Sequence, residues 1–224
     1  MGMTGLRLML AVGLIALLPA TPQAGIGSEL DGLGSFGLSV GVMNWLADDD
    51  MREWEGESAQ PRPIGKALFR YRMNSTWLVS LETGFGWNSY PNSDNVVNQV
   101  VPLTIGLERR VRELWGATTS LAFGGGFYSW GRKRERDFLR DPQTSERLHS
   151  FDPGAYFGAC GEFHVTDFVT CTLHATGNYI LNVHSDDFPT VLGGNHLYAD
   201  VRIGIHYYFS PYEGLIWGGG GRGD

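Results

Sequence analysis

The stretch Trp77-Leu-Val-Ser-Leu-Glu-Thr-Gly-Phe-Gly-Trp-Asn88 alternates strictly between two kinds of side chain. Trp77, Val79, Leu81, Thr83, Phe85 and Trp87 occupy one parity; Leu78, Ser80, Glu82, Gly84, Gly86 and Asn88 occupy the other. A β-strand points successive side chains to opposite faces, so this segment reads as a strand with one apolar and one polar face. Strands of ordinary globular sheets usually run about five or six residues. A tilted strand crossing a bilayer needs roughly 9–11, and residues 77–88 meet that length.

The same period recurs at 36–43, 101–108 and 199–209, and more weakly at 64–73, 119–130, 154–165 and 168–179. Eight strands are therefore expected. Short turns are expected near Asn74-Ser75, near Arg112-Glu113 and at Thr166-Asp167, with long polar connections at 47–63, 88–98, 131–150 and 180–196. Alternating short and long connections are the rhythm of an outer-membrane barrel, with short turns inside and long loops outside. The expected fold is all-β: an eight-stranded antiparallel up-and-down transmembrane β-barrel with short periplasmic turns and four long outer loops.

Composition agrees. Glycine, at 32 of 224 residues, disfavours helix interiors, and no segment has eighteen consecutive apolar residues. A formal charge of -7 argues against a nucleic-acid partner. At the N-terminus, Arg7 precedes the short apolar run Leu8–Leu18 and the small-residue stretch Ala20–Ala24. That order reads as a secretory signal peptide cut after Ala24. The expected organisation is 1–24 signal peptide, 25–35 periplasmic N-terminal segment, 36–209 barrel, and 210–224 a flexible Gly-rich periplasmic tail with no peptidoglycan-binding domain after it.

Charge placement decides which face meets lipid. Lys66, Arg70, Arg72, Glu82, Glu108, Glu162, Asp200 and Arg202 all lie on the parity opposite the apolar set. An ionic side chain in lipid costs several kcal/mol, so these eight are expected to form a charge network in the lumen, where opposite signs can pair. Trp45, Trp77, Trp87, Tyr90, Trp115, Trp130, Tyr179 and Tyr207 lie near strand ends and are expected at the headgroup level. A barrel of eight strands has room inside for little more than its own side chains, so no open pore is expected.

Several stretches resemble the OmpA-like or opacity-type outer-membrane β-barrel family. These are Phe69–Trp87, Val101–Leu107, the Gly-rich Leu121–Phe127, Gly161–Asp167, and Val201–Phe209, which looks like that family's closing strand. The resemblance spans about 36–209. It implies insertion by the outer-membrane assembly machinery, which reads a terminal aromatic strand; here fifteen residues, Ser210–Asp224, follow that strand. It implies contact with outer-membrane lipid and lipopolysaccharide, and an extracellular ligand or host protein at the loops. It specifies architecture rather than activity, and no cofactor is implied.

Two constellations bear on chemistry. His174, Thr176 and Asn178 share one face of a strand, and with Glu162 they are loosely similar to the catalytic His-x-Ser-Asn of outer-membrane lipid A deacylases. Thr stands where that motif has Ser, an extra Gly precedes Asn178, and the parity is luminal. An outer-membrane lipid hydrolase using His174 and Thr176 is thus the alternative to a non-enzymatic structural or surface-interaction role. In the third long connection, Arg132, Lys133, Arg134, Arg136 and Arg140 form a basic patch at the outer rim suited to lipopolysaccharide phosphates. Glu135, Asp137, Asp141 and Glu146 interleave with it and weaken the case. His184, Asp186, Asp187 and His196 lack the spacing of a metal motif. Cys160 and Cys171 lie on opposite parities, which disfavours a disulfide.

Overall fold

The computed structural model describes residues 32–48, 60–89, 96–114, 116–135, 137–184, 187 and 194–209. The signal peptide, residues 25–31, the tail, Asp49, Asp50, Tyr90, Trp115, Arg136 and Asp186 lie outside the described residues. The strands are β1 (Gly34–Asp48), β2 (Arg62–Arg72), β3 (Trp77–Ser89), β4 (Val96–Leu114), β5 (Ala117–Arg134), the two-residue β6 (Asp137–Phe138), β7 (His149–His164), β8 (Val169–Ile180) and β9 (His196–Phe209). Each pairs antiparallel with its sequence neighbour, except that β5 pairs with both β6 and β7. Pairing of β1 with β9 closes the sheet, so β1–β5 and β7–β9 form an eight-stranded antiparallel barrel.

Local chemistry sets the short turns. Asn74 Oδ1 accepts from the backbone N–H groups of Thr76 at 2.9 Å and Trp77 at 3.0 Å. Thr166 Oγ1 does the same for Val169 at 3.1 Å. Side chains that mimic a backbone acceptor in this way stabilise tight reversals. The second turn falls just beyond the expected Arg112-Glu113. β4 runs through those residues to Leu114, after a register shift between Arg110 and Arg112. That bulge takes up Val111, and Gly116, at φ 76°, supplies the left-handed conformation that a side chain would resist.

β1 begins two residues before the expected barrel start, and the outer ends of β5 and β7 run into what the sequence suggests is loop. The chain there is an ordered ribbon. Leu139 N–H donates to the Arg132 carbonyl at 3.0 Å, and Leu148 N–H to the Leu139 carbonyl at 2.8 Å. Loops must satisfy their buried backbone groups; this one does so by pairing because Leu139 and Leu148 give it an apolar side to pack against the barrel. On β4, Pro102 has no N–H to give, and the β3–β4 pairing skips from Thr83–Leu103 to Gly86–Val100 at its level.

The inside-out arrangement is plain. Phe85, Ile105 and Ile203 face outward, with 46 %, 60 % and 60 % of their surface exposed, alongside Phe36, Leu38, Val40, Leu81, Leu103, Phe123, Leu173 and Ile205. Lys66, Arg70, Arg72, Glu82, Glu108, Glu162, Asp200 and Arg202 are all buried inside. A continuous outward apolar belt of this extent on a closed cylinder has lipid as its matching solvent.

Candidate functional site: the barrel interior and outer rim

The eight charges expected in the lumen sort into two groups of four, each with two cations and two anions. In the upper quartet, Lys66 Nζ lies 2.6 Å from Glu82 and 3.2 Å from Asp200. Arg202 completes the ring at 3.0 Å from Glu82 and 2.6 Å from Asp200. The lower quartet sits toward the short turns. Arg70 is bidentate on Glu108, through Nε at 3.0 Å and through its second nitrogen. It also reaches Glu162 at 3.4 Å, and Arg72 reaches Glu162 at 3.1 Å. Isolated buried charges are expensive; pairing plus added hydrogen bonds offsets the cost. The added bonds come from groups that sequence parity does not single out. Thr170 donates to Glu162 at 2.9 Å, Tyr208 donates to the same carboxylate, Asn178 donates to Asp200 at 3.2 Å, and Arg202 donates to Ser39 at 3.1 Å.

His174 lies between the quartets, opposite Cys160 and Arg202 in the β-ladders. Its Nε2 is 3.8 Å from Cys160 Sγ, while the Thr176 hydroxyl accepts from Asn178 at 3.3 Å. Among the described residues His174 makes no hydrogen bond to Thr176 or Glu162. A nucleophile with its base needs such a bond and a substrate path, and all three side chains are buried inside the cylinder. The likeness to lipid A deacylases therefore gains nothing from the geometry. Cys160 and Cys171 are both free thiols.

Toward the long loops the interior turns apolar. Met43, Trp45, Ile64, Val100, Tyr128, Trp130, Leu148, Ile180 and Tyr198 form one buried cluster, with Leu139 against it. Trp45 stacks on Tyr198 at 5.8 Å, and Trp130 meets His196 edge-on at 4.3 Å. Trp45 and Trp130 thus correct the rim reading: both are luminal, whereas Tyr179 and Tyr207 are exposed on the outside. Beside the cluster, level with Tyr128, Trp130 Nε1 donates to the buried Asp152 at 2.6 Å, and Asp152 also holds His184 at 2.8 Å. His184 is therefore a tether for its loop. His196 packs against the rings of Trp45 and Trp130, and among the described residues no group of His, Cys, Asp and Glu side chains could hold a metal ion.

The basic patch of the third connection is divided. Arg132 is not on the outer surface; it is buried inside, with Nε donating to Asn98 at 2.9 Å. It lies on β5 with the parity of Tyr128 and Trp130, and strand geometry carries it inward. Lys133 faces outward, 4.5 Å above the Phe138 ring. Arg134 and Arg140 are exposed. Arg136 lies outside the described residues.

No family model and no curated protein matches the sequence. Solved structures do match its fold. Neisserial surface protein A superposes with a TM-score of 0.54 at 10% identity, covering 80% of this chain and 98% of that one. A major outer membrane protein from Thermus thermophilus superposes at 0.50 and 12% identity, covering 79% and 99%. The attachment invasion locus protein Ail of Yersinia pestis superposes at 0.48 and 14% identity, covering 80% and 99%. At these identities the likeness is one of fold. Closed topology, apolar exterior and ionic interior together define an eight-stranded β-barrel of the outer-membrane type.

Proposed function

We propose that this chain is an integral outer-membrane protein with a side-chain-filled lumen, no open pore and no enzymatic activity, acting through its outer loops in a structural or surface-interaction role. It is exported by the segment 1–24 and inserted by the outer-membrane assembly machinery, which reads the aromatic β9, as in the OmpA-like or opacity-type proteins its strands resemble. Outer-membrane lipid and lipopolysaccharide surround the belt, and the outer loops meet an extracellular ligand.

The observation that carries this reading is the lumen itself. Two neutral ion quartets lie below a closed apolar cluster that includes Trp45, Tyr128, Trp130 and Tyr198. Eight strands enclose little more than their own side chains, and an ion crossing here would have to part the quartets and then dehydrate against the aromatic cluster. The protein reconstituted in planar bilayers is therefore expected to leave the membrane silent. Discrete conductance steps in the wild type would replace this reading with that of a narrow channel. The same preparation should migrate faster unboiled than boiled on a gel, as a lipid-embedded barrel that resists detergent unfolding does.

A further inference from the structure

We infer that the outward face of the ribbon joining β5, β6 and β7 is a binding surface for the phosphates of lipopolysaccharide lipid A in the surrounding outer leaflet. The inference rests on the outer-membrane reading above and assigns that reading a ligand and residues.

The register sorts the ribbon's charges by face. Lys133 is opposite Phe138, and Arg140 is opposite Arg147. Leu139 and Leu148, one residue along from Arg140 and Arg147, turn in toward the luminal apolar cluster. Alternation then turns Lys133, Phe138, Arg140, Arg147 and His149 away from the barrel axis. The acidic Asp137 faces Arg134 across the ribbon on the other side. By the same alternation Asp141 and Glu146 fall with Asp137 on the side opposite these three cations. Among the described residues Lys133, Arg140 and Arg147 form no ion pair with a carboxylate. One Arg140 nitrogen donates to the Ser145 carbonyl at 2.8 Å, which holds the side chain along the ribbon.

The surface is pre-arranged and continuous with the lipid belt. A Cβ on Gly131 would run into the Phe138 ring, so glycine lets that ring lie close over the strand. Lys133 then sits 4.5 Å above the ring and His149 packs 4.9 Å beside it. Directly below, Phe127 and Phe151 stack at 5.0 Å on the exposed belt. Lys133 is six residues beyond Phe127 on β5, which at about 3.3 Å per residue and a tilt of about 45° is roughly 14 Å above it. The hydrocarbon core is about 30 Å thick, so with Phe127 in the outer half of the belt Lys133 reaches the polar layer. Two arginines placed side by side repel in the absence of an anion, and guanidinium forks suit phosphate oxygens. Lipid A anchored by its acyl chains against Phe127 and Phe151 would present its phosphates to these cations, whereas a soluble anion lacks the apolar half of the contact.

The test uses the full mature chain in detergent micelles, with binding of fluorescent bisphosphorylated lipid A measured for the wild type, for K133Q/R140Q/R147Q and for R134Q on the other face. Each basic side chain near an anionic surface contributes about 1 kcal/mol, so the triple variant should bind roughly a hundredfold more weakly. R134Q should bind within about twofold of the wild type, and dephosphorylated lipid A should lose the difference between wild type and triple variant. Equal binding by the triple variant, or an equal loss in R134Q, would overturn the assignment. So would a triple variant that loses affinity for heparin or inorganic phosphate while keeping lipid A. Faster migration of every unboiled variant on a gel shows that the barrel is intact; its absence in the wild type would instead remove the membrane reading beneath the proposal.

Discussion

Replacing Arg202 with methionine is expected to destabilise the folded barrel by about 3–5 kcal/mol, read from urea titration of tryptophan fluorescence in phospholipid vesicles. Arg202 contacts both Glu82 and Asp200. Without it, two buried carboxylates share only Lys66, 2.6 and 3.2 Å away. The quartet then carries a net negative charge in the buried interior, and an unpaired buried charge costs more than the pair contributes. The sign of the effect has an internal control. Arg202→Met combined with Glu82→Gln restores neutrality, leaving Lys66 with Asp200, and should recover at least about half of the loss. A single-variant loss below about 1 kcal/mol, or no recovery in the double variant, would mean that solvent enters the lumen and that the quartets are not what holds it.

The second large effect comes from the neighbouring residue, which points the other way. Ile203 lies near the middle of the outward column of β9 that runs from Leu197 to Phe209, and it is among the most exposed apolar side chains on the belt. Ile203→Arg places a guanidinium near the centre of the hydrocarbon and should cost about 2–4 kcal/mol. Tyr207→Arg, four residues nearer the short-turn end, should cost only about 0–1 kcal/mol because the side chain reaches the headgroups. Equal costs at the two positions would show that no depth gradient exists and that the exterior does not face a bilayer. Adjacent residues on one strand are thus expected to show opposite charge requirements, since losing a charge harms one site and gaining a charge harms the other.

How far the pattern reaches can be followed along single strands. β3 and β9 alternate over nearly their whole length, and for both the faces are legible from sequence. All eight charges on the polar parity lie inside because only two faces exist and lipid tolerates none of them. The upper ends of β1, β4 and β5 are harder. There the inward parity carries Met43, Trp45, Val96, Val100 and Trp130, so both faces are apolar and the alternation that marks a membrane strand fades. Trp45 shares parity with Ser39 and Met43, and Trp130 with Tyr128. That signal favours the lumen, but rings near strand ends are equally the signature of an interfacial girdle. Arg132 shares the parity of Trp130, yet it reads as part of a basic loop because the strand does not announce its continuation past residue 130.

Strand number, antiparallel order, the direction of every mid-strand side chain and the short turns at Asn74 and Thr166 follow from the sequence by itself. A residue's parity on a strand is a local property, and the solvent on each side imposes the choice of face. Which charge pairs with which is decided only when the sheet closes. Arg70 and Glu162 are 92 residues apart, and Arg202 and Glu82 are 120 apart. The two neutral quartets, the aromatic cluster above them and the one-signed face of the outer ribbon belong to the same class of fact. Each depends on the stagger between strands and the width of the cylinder, quantities that no single segment contains.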